Sequence, residues 1–231
     1  MKVKTSFAID DLKGSAGNVT AARNRGGLYF KTRINPSNPQ TSSQQKIRNA
    51  FGVNSRAWGE LTQEQRQAWI EFSDTLVGKS NFGLPTKLSG INVYSRCNNN
   101  LALVGGTLLD SPVAAPEMPI FDITGITFTQ PVDETPGKIE VSVDGLDSLS
   151  GFKIVAMATA PFSAGRIKNS SSLRVIGFYD SLTDGSVDVA SSYGEKFGVF
   201  PAAGSKIEVS FYLVHEASGF ASLKQNFVSL V

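Results

Sequence analysis

Three prolines within eight residues, Pro112, Pro116 and Pro119, interrupt the chain near its midpoint. Each proline fixes its own φ, lacks an N–H donor and holds its predecessor extended. No helix or central strand runs through such a stretch, so residues 111–120 read as a stiff linker. The hydrophobic pattern changes across it. Before the linker apolar residues recur at helical spacing, and after it they alternate. The fold expected is therefore α+β. An N-terminal domain over 1–110 holds a hairpin, an extended proline arm and a three-helix unit. An all-β immunoglobulin- or fibronectin-like sandwich occupies 121–231.

The sandwich expectation rests on residues two apart: Ile126/Phe128, Ile139/Val141/Val143, Ile154/Ala156/Ala158, Leu173/Val175, Val187/Val189, Ile207/Val209/Phe211/Leu213 and the run Phe227–Val231. Seven short alternating strands with turn signals such as Asp144-Gly145 and Ala203-Gly204 between them suit two packed antiparallel sheets. The apolar last strand is expected to pair inside a sheet.

The N-terminal half begins with a hairpin. Residues 18–23 and 28–34 flank the turn cluster Asn24-Arg25-Gly26-Gly27. Arg23, Lys31 and Arg33 give it a basic edge, which resists unwanted strand pairing and suits an acidic partner. Tyr29 and Phe30 are neighbours, so in a strand they point to opposite faces and one of them is available to a partner. Pro36 and Pro39 make residues 35–40 an extended arm. A helix follows to about Trp58, opened by a capping box of Ser42 with Gln45, or alternatively of Thr41 with Gln44. Ile47, Ala50, Phe51 and Trp58 share one of its faces. Thr62 with Gln65 opens a second helix over 63–76, with Ala68, Trp69, Phe72 and Leu76 as its apolar stripe and Gly78 as a left-handed cap. After a loop over 78–88, Ser89 starts a third helix that ends at Gly105-Gly106. Trp69 reads as internal, whereas Trp58 is balanced between core and contact.

Net charge is +2, but the halves differ: residues 1–110 hold 14 Lys and Arg against 7 Asp and Glu, and residues 111–231 hold 8 against 13. This asymmetry favours head-to-tail contacts, or a basic half facing an acidic partner. Nucleic acid is the weaker reading, because the second and third helices carry only Arg66 and Arg96 where a phosphate face needs several cations. The N-terminus has a basic start without an apolar run, which is not the pattern of a signal peptide. No window suits a membrane span.

The residues offer little chemistry. Gly78-Lys79-Ser80 follows a helix and lacks the first glycine of a phosphate-binding loop. One Cys and one His, Cys97 and His215, are too few for a zinc site, and Cys97 reads as a small buried apolar residue. Asp144-Gly145-Leu146-Asp147 reads as a tight turn. The expectation is no enzyme activity, no cofactor and no metal.

In motif order, Gly26-Gly27-Leu28-Tyr29-Phe30-Lys31-Thr32-Arg33, Asn35-Pro36 with Pro39-Gln40-Thr41, Leu61-Thr62 with Gln65-Arg66 and Ala68-Trp69, and Leu88-Ser89-Gly90 with Asn92, Tyr94, Asn98, Asn100 and Leu101 resemble a poorly characterised family of bacteriophage and prophage virion structural proteins. The resemblance covers residues 20–105, and the segment Ala158–Gly165 is similar to the immunoglobulin-like domain that often follows. It implies a non-enzymatic auxiliary, decoration or minor capsid protein, assembled in the host cytoplasm and located in the virion. Its partners would be the major capsid protein or other virion proteins, with self-association possible and no membrane. The contact residues expected are Arg23, Arg25, Tyr29, Phe30, Lys31, Arg33, Pro36, Pro39 and Trp58. The rival expectations are a DNA-binding protein with a helix-turn-helix-like unit and a host-surface adhesin using sandwich loops near 162–172.

Overall fold

The computed structural model describes residues 12–34, 37–79, 85–132, 136–146 and 149–231; the side chains of Ser43, Lys79 and Pro85 are not among them. The chain separates into two compact units, Met1–Ser95 and Arg96–Val231.

The first unit opens with three antiparallel strands, β1 (Gly14–Ala16), β2 (Val19–Asn24) and β3 (Gly27–Thr32). The expected hairpin is β2–β3, with Arg23 opposite Leu28 and Ala21 opposite Phe30. Its turn is closed by the Asn24 side chain, which accepts from the Gly26 N–H at 2.9 Å. Strand β1 was not legible, since Gly14-Ser15-Ala16 carries no apolar alternation.

Helix α1 (Ser42–Glu60) is capped by Thr41, whose hydroxyl accepts from the Gln44 N–H at 3.3 Å; the alternative cap is thus the one used. Gln40 has a left-handed backbone, φ 50°, and its carbonyl accepts from the Gln45 side chain at 3.2 Å. Helix α2 (Gln63–Thr75) carries the expected capping box, Thr62 with Gln65, with both bonds made at 3.2 and 2.9 Å. Gly78 is not the cap of α2. The helix ends at Leu76 in extended geometry, and the expected loop holds a two-stranded ladder, β4 (Val77–Lys79) with β5 (Pro85–Lys87). Gly78 serves close approach instead: a Cβ there would lie 2.9 Å from Leu88 Cδ2. Ser80, the end of the phosphate-loop-like triplet, lies outside the described residues.

Helix α3 spans Gly90–Val104, and the division between units falls inside it rather than in residues 111–120. It ends as expected, with Gly105 at φ 76° and the Gly106 N–H on the Leu101 carbonyl at 2.8 Å, a Schellman closure.

The second unit holds β6 (Asp122–Thr129), β7 (Lys138–Asp144), β8 (Phe152–Ala158), β9 (Phe162–Ser163), β10 (Arg174–Tyr179), β11 (Ser186–Asp188), helix α4 (Ala190–Phe197), β12 (Ser205–His215) and β13 (Gln225–Leu230). Two antiparallel sheets result. One is ordered β11-β7-β6, and the other β10-β8-β12-β13 with β9 also on β12. They share one core: Ile139, Val141 and Val143 meet Ile154, Ala156, Val209, Phe211 and Leu213. Helix α4 is not expected from the sequence, because Val187/Val189 reads as alternation and the stripe Ala190, Tyr193, Phe197 spans only two turns. Its Tyr193 is fully buried and donates to the Thr159 carbonyl at 3.0 Å. The outer face of the larger sheet is covered too, with Val155, Tyr212 and Val214 packed against Val104 of α3. Within this unit Asn98, fully buried, exchanges two hydrogen bonds with the Leu109 backbone, at 2.8 and 3.2 Å.

Candidate docking surface

The core of the first unit is aromatic. Trp69 is fully buried, with Tyr94 edge-on at 5.4 Å and Phe72 at 6.2 Å. Trp58 is half-buried and tilts against Tyr94 at 5.2 Å. Trp69 is therefore internal, and Trp58 presents one side to the core and the other outward. That outer side helps to line a cavity of about 300 Å³ together with Arg25, Ile70, Asp74, Leu88 and Ile91. Two of the expected contact residues, Arg25 and Trp58, thus meet at one place.

The hairpin distributes the others. Tyr29 and Phe30 are both half-buried, on opposite faces, and Leu28 beside them is buried. Phe30 lines a concavity of about 410 Å³ with Val19, Lys31 and Thr32. Arg23, Arg25, Lys31 and Arg33 are all exposed, as is Pro39. Pro36 lies outside the described residues.

The charge extends beyond the hairpin. Residues 12–59 contain Lys13, Arg23, Arg25, Lys31, Arg33, Lys46, Arg48 and Arg56 and no Asp or Glu. All eight cations are exposed. Lys46, Arg48 and Arg56 are not among the expected contact residues, although an acid-free run of this length is visible in the sequence. Exposed apolar residues stand among the cations: Ile34 (74 %), Ile47 (72 %), Phe51 (59 %) and Val53 (50 %). The expected apolar face of α1 is thus covered only at its C-terminal end, where Asn54 is buried and Trp58 meets Tyr94. Exposed apolar residues and exposed cations are thus interspersed over 12–59, a mixture that interface anchors use.

The groups with chemical potential in the second unit are engaged structurally. His215 Nδ1 lies 2.7 Å from Ser218 Oγ, but Ser218 is buried in the turn and also accepts from the Phe220 N–H at 3.4 Å. Glu208, 1 % exposed, accepts from the Asn169 N–H at 2.7 Å and from the Ser170 hydroxyl. It thereby holds a 3-10 turn, Ser170–Ser172, in the loop that the adhesin expectation singled out. Cys97 is buried, and burial pushes its thiol from 9.0 up to about 11, outweighing the pull of the Arg96 charge. The Asp144-Gly145 turn has Gly145 at φ 83°, with the Asp144 carboxylate accepting from its N–H at 2.9 Å; Asp147 lies outside the described residues. Among the described residues no three His, Cys, Asp or Glu side chains are arranged to hold a metal, and no helix is long and apolar enough to cross a membrane.

No protein-family model, curated protein or solved structure matches this chain.

Proposed function

We propose that this chain is a non-enzymatic structural protein of a bacteriophage virion, an auxiliary, decoration or minor capsid protein whose first unit docks on an acidic surface of neighbouring subunits. The observation that carries the reading is the acid-free stretch 12–59, with eight exposed cations set among exposed Ile34, Ile47, Phe51 and Val53. Apolar residues at that density favour a protein surface over a phosphate backbone, which is met chiefly by cations and polar groups. Arg23, Arg25, Lys31 and Arg33 steer the encounter, and Phe30 and the outer side of Trp58 supply contact area. The second unit supports the accompanying reading of an immunoglobulin-like sandwich. Leaving aside the two-residue β9, its first, second and fifth strands share one sheet and its third, fourth, sixth and seventh the other.

Deletion of residues 1–40 tests the docking. The shortened chain is expected to be lost from assembled particles while its near-ultraviolet spectrum shows the second unit intact. Normal incorporation rejects the mechanism. Retention of DNA on filters by the full chain, falling steeply with salt, would favour the nucleic-acid reading instead.

A further inference from the structure

The N-terminal part of α1 carries an apolar face outward. Ile47 and Phe51 lie one turn apart and are 72 % and 59 % exposed, and Lys46 and Arg48, which flank Ile47 in the chain, are exposed as well. The result is an apolar knob with a cationic rim.

The second unit holds the complementary shape. A concavity of about 310 Å³ is lined by Met118, Pro119, Ile120, Phe121, Ala221 and Leu223. Ile120 and Leu223 are 91 % and 86 % exposed, values unusual for residues of this size beside a packed core. The next residue along the chain, Asp122, opens β6 directly opposite Asp144 of β7, and both are exposed. Each carboxylate accepts one hydrogen bond at 2.9 Å, from the N–H of the residue that follows it. Like charges directly opposed across a ladder cost stability. A cation brought between them by a partner removes that cost. Gly145, next to Asp144, stands against the Ile120 carbonyl, and the exposed Lys224 beside Leu223 lies over the Tyr212 ring at 5.2 Å, so the concavity is anionic on its β6–β7 side.

The charges of the two units agree with the local picture. Residues 1–95 hold 13 Lys and Arg against 6 Asp and Glu, and residues 96–231 hold 9 against 14.

We infer that the occupant of the α1 face is a second copy of this chain. Ile47 and Phe51 of one copy seat in the concavity at Ile120 and Leu223 of another, and Arg48 and its neighbours meet Asp122 and Asp144. The inference rests on the reading of the first unit as a docking element and narrows the partner at α1 to the chain itself. Such a contact joins two different patches, so it is heterologous and repeats from copy to copy, into a ring or a row.

Sedimentation of the full-length protein over a concentration series, at low and high salt, tests it. Mass is expected to rise with concentration and to rise less at high salt, where charge attraction is screened. Phe51→Glu and Leu223→Glu, made separately, are each expected to stay monomeric. Their equimolar mixture is the decisive sample. The first variant keeps a sound concavity and the second a sound helix face, so the mixture should form dimers and stop there. A monomeric wild type, assembly indifferent to both substitutions, or a mixture that remains monomeric overturns the inference. Should either variant fail to fold, Arg48→Glu combined with Asp144→Lys reads the same contact, since each alone weakens association and the pair restores it. The chain lacking residues 1–40 retains both patches. It should therefore self-associate even when it is lost from particles, which separates this contact from docking by the hairpin and arm.

Discussion

Trp69 and Trp58 show how one residue type takes two roles within a single aromatic cluster. Trp69 is enclosed by Tyr94 and Phe72, so truncation leaves a void its neighbours fill only in part. Trp69→Ala is expected to cost about 3–5 kcal/mol in urea unfolding. Trp58→Ala should cost visibly less, because its outer side is already open. The internal place of Trp69 was legible from the stripe Ala68, Trp69, Phe72, Leu76. The divided role of Trp58 was not, because exposure depends on where the partner helices stop. Cys97 was legible as buried, and its titration follows. The folded state favours the neutral thiol, so the unfolded chain ionises first. The stability contributed is complete below 9.0 and is lost as pH rises toward about 11. Burial also raises Tyr193, Tyr212 and Tyr179, which act in the same direction at higher pH. Urea midpoints measured across this alkaline range should fall, and Cys97→Ala should make the fall shallower. Glu208 was illegible: a carboxylate on an alternating strand reads as facing solvent, and only the return of Asn169 and Ser170 encloses it.

At the scale of elements, helix starts were read well because their signals are local. Thr62 and Gln65 need no distant partner to form their box, and Thr41 captures its own first turn. Glycines were read less well, because their reason for being glycine lies elsewhere in the fold. Gly78 has the local signature of a cap and instead admits Leu88 to the β4–β5 ladder. Gly90 admits the start of α3 to the backbone of α2, where an added Cβ would stand 3.0 Å from the Ile70 amide nitrogen. Gly90→Ala is therefore expected to push the two helices apart and cost about 1–3 kcal/mol in thermal or urea unfolding. An unchanged midpoint would show that Ile70 yields freely. In the second unit Gly219, at φ 70°, brings its backbone against the carbonyl of Cys97, and the Asn100 side chain donates to the Gly219 carbonyl at 2.8 Å. No feature of the sequence near residue 219 reports a partner more than a hundred residues earlier. Helix α4 is likewise held from a distance: Ala190, Tyr193 and Phe197 pack on the core between the sheets, and Tyr193 donates to the Thr159 carbonyl.

For the molecule as a whole, the change from helical spacing to alternation was enough to give the class and the two antiparallel sheets. The prolines suggested a division at 111–120, yet the compact units meet within α3, because the residues after Ser95 find their contacts at Leu109, Gly219 and the outer sheet face. A helix reads as one object in sequence whichever unit its side chains serve. The candidate surface was half legible. The basic hairpin was plain, while the exposure of Ile47 and Phe51 was not. Strand β12 carries a further consequence. It pairs with β8, β13 and β9, and its alternate side chains are enclosed on both sides, Ile207 and Val209 on one and Glu208 and Tyr212 on the other. The row Ile207, Val209, Phe211 and Leu213 is wholly apolar, whereas the opposite row includes Lys206, Glu208 and Ser210, and this difference sets the threading of the strand. A slip by one position would drive Lys206, Glu208 and Ser210 together into the hydrocarbon between the sheets. Glu208→Leu removes one of these three penalties and is expected to leave a single threading, with the amide resonances of Asn169 and Ser170 shifting as their shared acceptor is lost.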